Sequence, residues 1–181
     1  MKSRILFAAN CVFSALIIAL TAFPLDLKAA VYQNLLNPSA PTNISNSINI
    51  EADERRVFEL VNSEREKNGL NRIEWNPALA QLARNYSEQM ADEKFFSHFD
   101  KNGASVQDRA EFMKIRGWSK IGENLFVCSG TSKFTALAVQ KWMKSPSHKQ
   151  NILDAEWTTS GIGVAESSDG EIYITQVFMR N

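Results

Sequence analysis

The sequence predicts an α+β domain, a three-layer α-β-α sandwich built around a small antiparallel sheet. Three observations carry that expectation. Apolar residues recur at helical spacing through most of the stretch from Glu51 to Lys144. Near the C-terminus, Gly161 to Glu166 and Glu171 to Phe178 read as strands joined by Ser167-Ser168-Asp169-Gly170, and Asp-Gly is a strong hairpin signal. In the second of these strands Ile172, Ile174 and Phe178 alternate with Tyr173, Thr175 and Val177. A strand apolar on both sides needs cover on both faces, so helices must lie above and below the sheet.

Each element follows from its own residues. A first helix begins near Glu51, places Val57, Leu60, Val61 and Glu64 on one face, and stops at Asn68-Gly69. Asn76-Pro77 supplies an N-cap and a proline at the first helical position of a second helix. Leu79, Leu82, Ala83, Tyr86 and Met90 give that helix a single buried stripe. Ser105 to Ile115 forms a shorter third helix. A fourth, from Ser132 to Lys144, turns Phe134, Leu137, Ala138 and Trp142 inward, and Pro146 prevents its continuation. Ile121 to Val127 is the remaining strand.

The 181 residues divide into three parts. Residues 1–29 read as an export signal, with Lys2 and Arg4 ahead of an almost wholly apolar run from Ile5 to Phe23, and with Ala29 allowing cleavage before Ala30. The competing expectation is an uncleaved membrane anchor, because that run approaches spanning length. Residues 30–50 hold five asparagines, three serines, Pro38 and Pro41, and read as a flexible spacer. Residues 51–181 form one domain. Loss of residues 1–29 removes three positive charges and one negative, shifting the formal charge from 0 to −2. Neither value suits a nucleic-acid partner, and membrane contact is expected only through the N-terminal segment. Of the two cysteines only Cys128 lies in the domain, so no disulfide can staple it and the core must suffice.

Only two histidines occur, and each stands in a short polar motif. His98 lies in Phe95-Phe96-Ser97-His98-Phe99, His148 in Ser145-Pro146-Ser147-His148, and Ile121-Gly122-Glu123-Asn124-Leu125 runs between them. Imidazole titrates near neutral pH and is the commonest metal ligand, so two histidines with a carboxylate are suited to acid–base work or to zinc. Their spacing gives no local support, being unlike the two-ligand pattern of a single helix. Glu123 could equally cap backbone donors or pair with Arg109. No Gly-x-Ser-x-Gly elbow, phosphate-cradling loop or Cys-x-x-Cys is present.

Eight landmarks occur in a fixed order: Leu60 to Arg65, Trp75 to Leu79, Phe96-Ser97-His98, Gly122-Glu123-Asn124, Trp142 to Pro146, His148 with Asn151-Ile152-Leu153, Gly161 to Val164, and Thr175-Gln176. In this the chain resembles the CAP superfamily, the cysteine-rich secretory, antigen 5 and pathogenesis-related 1 proteins of the SCP domain, and it resembles the bacterial single-domain branch most. The resemblance implies the α-β-α fold and a cavity lined by two histidines and two acidic residues. His98 and Glu123 match the first histidine and first glutamate. Ser145 stands where the second glutamate is expected and Tyr173 where the second histidine is, while His148 offers an imidazole from another direction. The expected cavity residues are thus His98, Glu123, His148, Ser145, Tyr173 and Gln176, with zinc as the possible cofactor on His98 and His148. The implied function is an exported binding module for a lipid, a cell-envelope component or a protein partner. The alternative is a metal-dependent or acid–base hydrolase using His98 and Glu123.

Overall fold

The computed structural model describes residues 49–181. The apolar N-terminal run and nearly all of the spacer lie outside the described residues. In chain order the elements are α1 (Ile50–Lys67), β1 (Glu74–Trp75), α2 (Pro77–Glu93), α3 (Val106–Phe112), β2 (Lys120–Cys128), α4 (Phe134–Lys144), α5 (Pro146–Ile152), β3 (Thr159–Glu166) and β4 (Ile172–Arg180). The sheet order is β1-β3-β4-β2. The three long strands are antiparallel, with Glu123 opposite Val177 and Gly163 opposite Thr175. A two-residue parallel edge, Glu74 and Trp75 against Thr159 and Ser160, is added to the expected sheet. Two residues are too few to show a strand alternation.

The sheet separates two apolar layers. Even-numbered β4 residues Ile172, Ile174 and Phe178 pack with α1, α4 and α5, where Trp142 and Trp157 provide the bulk. Odd-numbered Val177 and Met179 pack with Leu79, Leu82 and Ala83 of α2 and with Val106 and Ala110 of α3. Tyr173 extends that layer beside Tyr86 and Met90. The α2 stripe is therefore the expected one.

Two local outcomes differ from the expectation. In α1 the buried face is Glu54, Val57, Phe58, Val61, Asn62 and Arg65, while Leu60 and Glu64 sit half-buried on its flank. Polar residues pull the face round because each finds buried partners: Arg65 donates to the carbonyls of Ile152 and Asp154 at 2.7 Å each. Asn62 exchanges two hydrogen bonds with the backbone of Ile73. The second difference is α5. Pro146 ends α4 as expected, yet it also opens a new helix, since proline is tolerated at the first helical position.

Gly161 and Gly163 set the distance between α2 and β3. A Cβ on Gly163 would lie 2.0 Å from the backbone nitrogen of Arg84, and one on Gly161 would lie 2.1 Å from that of Ala80. Only glycine lets a helix backbone approach a strand this closely. Among the described residues no helix is long and apolar enough to cross a membrane.

Candidate functional site

β2 is an edge strand, and the site is built around its free side. Two outward carbonyls of that edge are capped by side chains. The Asn151 amide donates to Glu123 O at 3.1 Å, and the Trp142 indole donates to Leu125 O at 2.8 Å. This capping by α4 and α5 protects the edge from pairing with another chain. Gly122 has room for Trp157 beside it, where a Cβ would meet the indole at 3.1 Å. The next two side chains point to opposite faces of the sheet. Asn124 donates to His148 O at 3.2 Å and accepts from Asn151 at 2.9 Å, which fixes α5 on one side. Glu123 turns to the other side, toward α3.

There Glu123 is almost wholly buried and both of its oxygens are occupied. Oε2 accepts from Arg109 Nη2 at 2.6 Å, and Oε1 lies 2.9 Å from His98 Nδ1. A carboxylate can only accept, so Nδ1 carries the proton in this bond and Nε2 is the ring nitrogen left for a ligand. Arg109 Nη1 donates to Ala104 O at 2.8 Å, its Nε is buried without a partner, and its guanidinium lies over the Tyr86 ring at 3.4 Å. Tyr86 in turn donates to Ser97 O at 2.6 Å and so anchors the segment that carries His98. Burial above all, with help from the Glu123 and Asp100 charges, pushes the Tyr86 hydroxyl up to about 12, against the opposing effect of Arg109. It is a fixed donor rather than an acid.

His148 reaches the same place from α5. Its ring centroid lies 6.5 Å from that of His98, with the planes tilted by 38°. Nδ1 lies 2.9 Å from Ser145 Oγ, at the residue that both ends α4 and precedes α5. Burial, and then the nearby charge of His98, hold His148 below the ordinary imidazole value. His98 is far more open, its side chain 52% exposed.

Of the six expected cavity residues, the structure brings together His98, Glu123, His148 and Ser145. Tyr173 lies further along β4, opposite Val127 rather than Glu123, and packs with Tyr86, Met90 and Leu125. Its hydroxyl donates to Glu171 at 3.0 Å, and burial followed by that carboxylate pushes its pKa up. Gln176 faces the layer opposite Glu123, fully buried, donating to Ser160 Oγ at 3.2 Å with its Oε1 unpartnered. Sequence reasoning overlooked Tyr86, which reads as core within an apolar stripe. It also overlooked the two asparagines that lock β2 to α5. The available signal was a hydroxyl in an apolar stripe that ends near His98.

The donor set does not fit a structural or catalytic zinc centre. Such centres use four or three protein ligands, and the site supplies two imidazoles. Glu123 bonded to His98 has the form of a carboxylate orienting a ligand from behind, yet with Arg109 on its other oxygen it is not itself a third ligand. Among the described residues no three His, Cys, Asp or Glu side chains gather where a cation could sit.

Comparison with known proteins shows the family and the fold. The family model of the cysteine-rich secretory protein family, CAP, matches residues 58–178. The uncharacterized membrane protein YlbC of Bacillus subtilis is 31% identical over 129 residues, 70% of this chain and 34% of that protein. The uncharacterized protein YkwD of the same organism is 33% identical over 138 residues, 76% of this chain and 49% of that one. The chain thus spans between a third and a half of the length of the curated relatives it matches. Among solved structures, an extracellular SCP-domain protein of Bacillus anthracis superposes with a TM-score of 0.63 at 28% identity, covering 73% of this chain and 41% of that one. An outer surface protein of Borrelia burgdorferi gives 0.66 at 19% identity, covering 74% and 96%, a likeness of fold.

Proposed function

The chain belongs to the cysteine-rich secretory protein (CAP) family, and on that premise we propose that it is a binding module working outside the cytoplasm. Its ligand is a lipid, a component of the cell envelope or a protein partner, held by His98 and His148. One observation carries this reading over a hydrolytic one: both oxygens of Glu123 are engaged, by Arg109 and by His98. A general base must lie within reach of the proton it removes, and this carboxylate is almost wholly buried, held between Arg109 and His98. What remains is a pair of imidazole rings with centroids 6.5 Å apart, able to hydrogen-bond one ligand between them. Exposed Phe96 and Phe99 flank His98 and add apolar contact at the rim. The extracytoplasmic location is supported by the extracellular and outer-surface character of two structural relatives and by the export-like segment at residues 1–29.

The test is co-sedimentation of the full chain with isolated bacterial cell walls and, separately, with phospholipid vesicles. Retention by one of them should fall about tenfold in both His98→Ala and His148→Ala, as expected when a buried anchor of an interface is truncated. Equal retention of wild type and both variants would move the binding surface elsewhere. Hydrolysis of added ester or peptide substrates that disappears with His98→Ala would instead establish the catalytic reading.

A further inference from the structure

A cleft lies beside the Arg109–Tyr86 stack, lined by both residues and by neither histidine. It has a volume of about 550 Å3, within the range of pockets that hold drug-sized ligands. Its walls are two helix faces. From α2 come Leu82, Asn85, Tyr86 and Gln89, at spacings that share one helical face. From α3 and the residue after it come Asp108 with Phe112 and Arg109 with Met113, two adjacent rows four residues apart. Asp100, Asn102 and Ala104 complete the lining. Packed helices normally fit the ridges of one into the grooves of the other. Here the two faces meet only at points such as Arg109 over Tyr86 and Asn85 against Met113, and the space between them stays open.

The lining mixes apolar and acidic groups. Leu82, Phe112 and Met113 are its large apolar members, and Asp100 and Asp108 are its carboxylates. Phe112 is 88% exposed, the most exposed large apolar side chain among the described residues, and it borders the open cavity. Each carboxylate spends one oxygen on the chain itself. Asp100 Oδ1 accepts from the Asn102 and Ala104 backbone at 2.8 Å each, and Asp108 Oδ2 accepts from the Ser105 backbone and hydroxyl at 2.8 and 2.6 Å. The other oxygen of each has no hydrogen-bond partner among the described residues. The single cation in the lining, Arg109, is already neutralised by Glu123. The lining therefore pairs net negative charge with apolar surface, and Asn85, Gln89 and Asn102 add side-chain amides.

We propose that this cleft binds a short peptide segment that pairs a basic side chain with an apolar one. The basic group meets Asp100 and Asp108, the apolar group packs on Leu82, Phe112 and Met113, and Asn85, Gln89 and Asn102 suit the peptide backbone. A free fatty acid is disfavoured by the same two carboxylates.

The experiment is calorimetric titration of the full chain with an acetylated, amidated hexapeptide of alternating lysine and leucine. Binding should weaken at least tenfold when glutamate replaces lysine in the peptide, and also in Phe112→Ser and Asp108→Asn, and it should weaken as salt rises. Phe112 is exposed and asparagine can still accept from Ser105, so both variants fold. Amide shifts in an NMR titration should cluster on α2 and α3 around Leu82 and Met113. The proposal is overturned if the lysine peptide does not bind at millimolar concentration, or if the glutamate peptide binds equally well. It also falls if dodecylamine binds where the peptide does not, or if the shifts centre on His98 and His148.

Discussion

Two buried carboxylates in this domain are each gripped by an arginine, and they end in different places. Glu54 of α1 is fully buried, with its Oε1 and Oε2 accepting from Arg84 Nε and Nη2 at 2.8 and 2.6 Å. Its third partner is the backbone nitrogen of Val164, at 3.2 Å. That array pins α1, α2 and β3 to one another and ends in backbone. Glu123 is almost as buried and also holds an arginine, but through one bond only, and its other partner is an imidazole that is half exposed. The same carboxylate–guanidinium pair is a structural pin in one region and the root of a solvent-facing side chain in the other. The partner beyond the arginine makes the difference.

The sharpest way to break the comparison is to remove each carboxylate and compare the losses. Glu54→Ala should cost about 3–5 kcal/mol, because it strands a partly buried guanidinium and an unpaired backbone donor. Chemical denaturation would measure it, and a loss below about 1 kcal/mol would deny that Glu54 is a pin. Gly163→Ala attacks the same region from the backbone. Its Cβ would sit 2.0 Å from Arg84 N, so α2 must lift away from β3. The expected loss is about 3 kcal/mol, at the upper end of ordinary overpacking. Unchanged stability in that variant would mean the two backbones have room to slide. Glu123→Gln should cost less, about 1–3 kcal/mol, since glutamine keeps the shape and one acceptor while the charge on Arg109 goes unmatched.

Much of this contrast was legible in the sequence, and the rest was hidden for identifiable reasons. The α2 stripe, the hairpin and the doubly covered β4 follow from periodicity, which reports burial directly. His98 and Glu123 stood out by rarity and motif, and the Arg109 pairing was among the readings open to Glu123. Glu54 was invisible, because a glutamate within the charged run Glu51 to Arg56 ordinarily reads as solvated, and its partner lies 30 residues away. Tyr173 and Gln176 were assigned to the cavity by resemblance. Pleat and register decide otherwise, placing Gln176 on the opposite face from Glu123 and Tyr173 four residues along β4 from Val177. Pattern conveys which residues are inside, while pairing register conveys which of them meet.

A milder change sharpens the comparison at its exposed end. His98→Ala should leave stability within about 0.5 kcal/mol of wild type, since the side chain is half exposed and Arg109 still neutralises Glu123. Ligand retention at the cleft should nonetheless fall. A stability loss approaching that of Glu54→Ala would make His98 a second pin and erase the distinction.

The smallest effect is electrostatic and concerns the gap between the two imidazoles. His148 titrates below the ordinary value of 6.5, first because it is partly buried and second because a charge on His98 opposes its own. A histidine with a depressed folded pKa binds fewer protons folded than unfolded. Its contribution to stability is therefore fully present above about pH 6.5 and is lost as the pH falls through the folded value. Replacing His98 with alanine removes the second cause and leaves the first. An NMR titration of the His148 ring should then show its pKa moving up toward 6.5 without reaching it, and the acid-side loss of stability should become shallower. Should the His148 titration be the same in wild type and variant, the rings would not sense one another across 6.5 Å. The cleft would then be two separate histidines, one rooted in Glu123 and one in Ser145, rather than a single site.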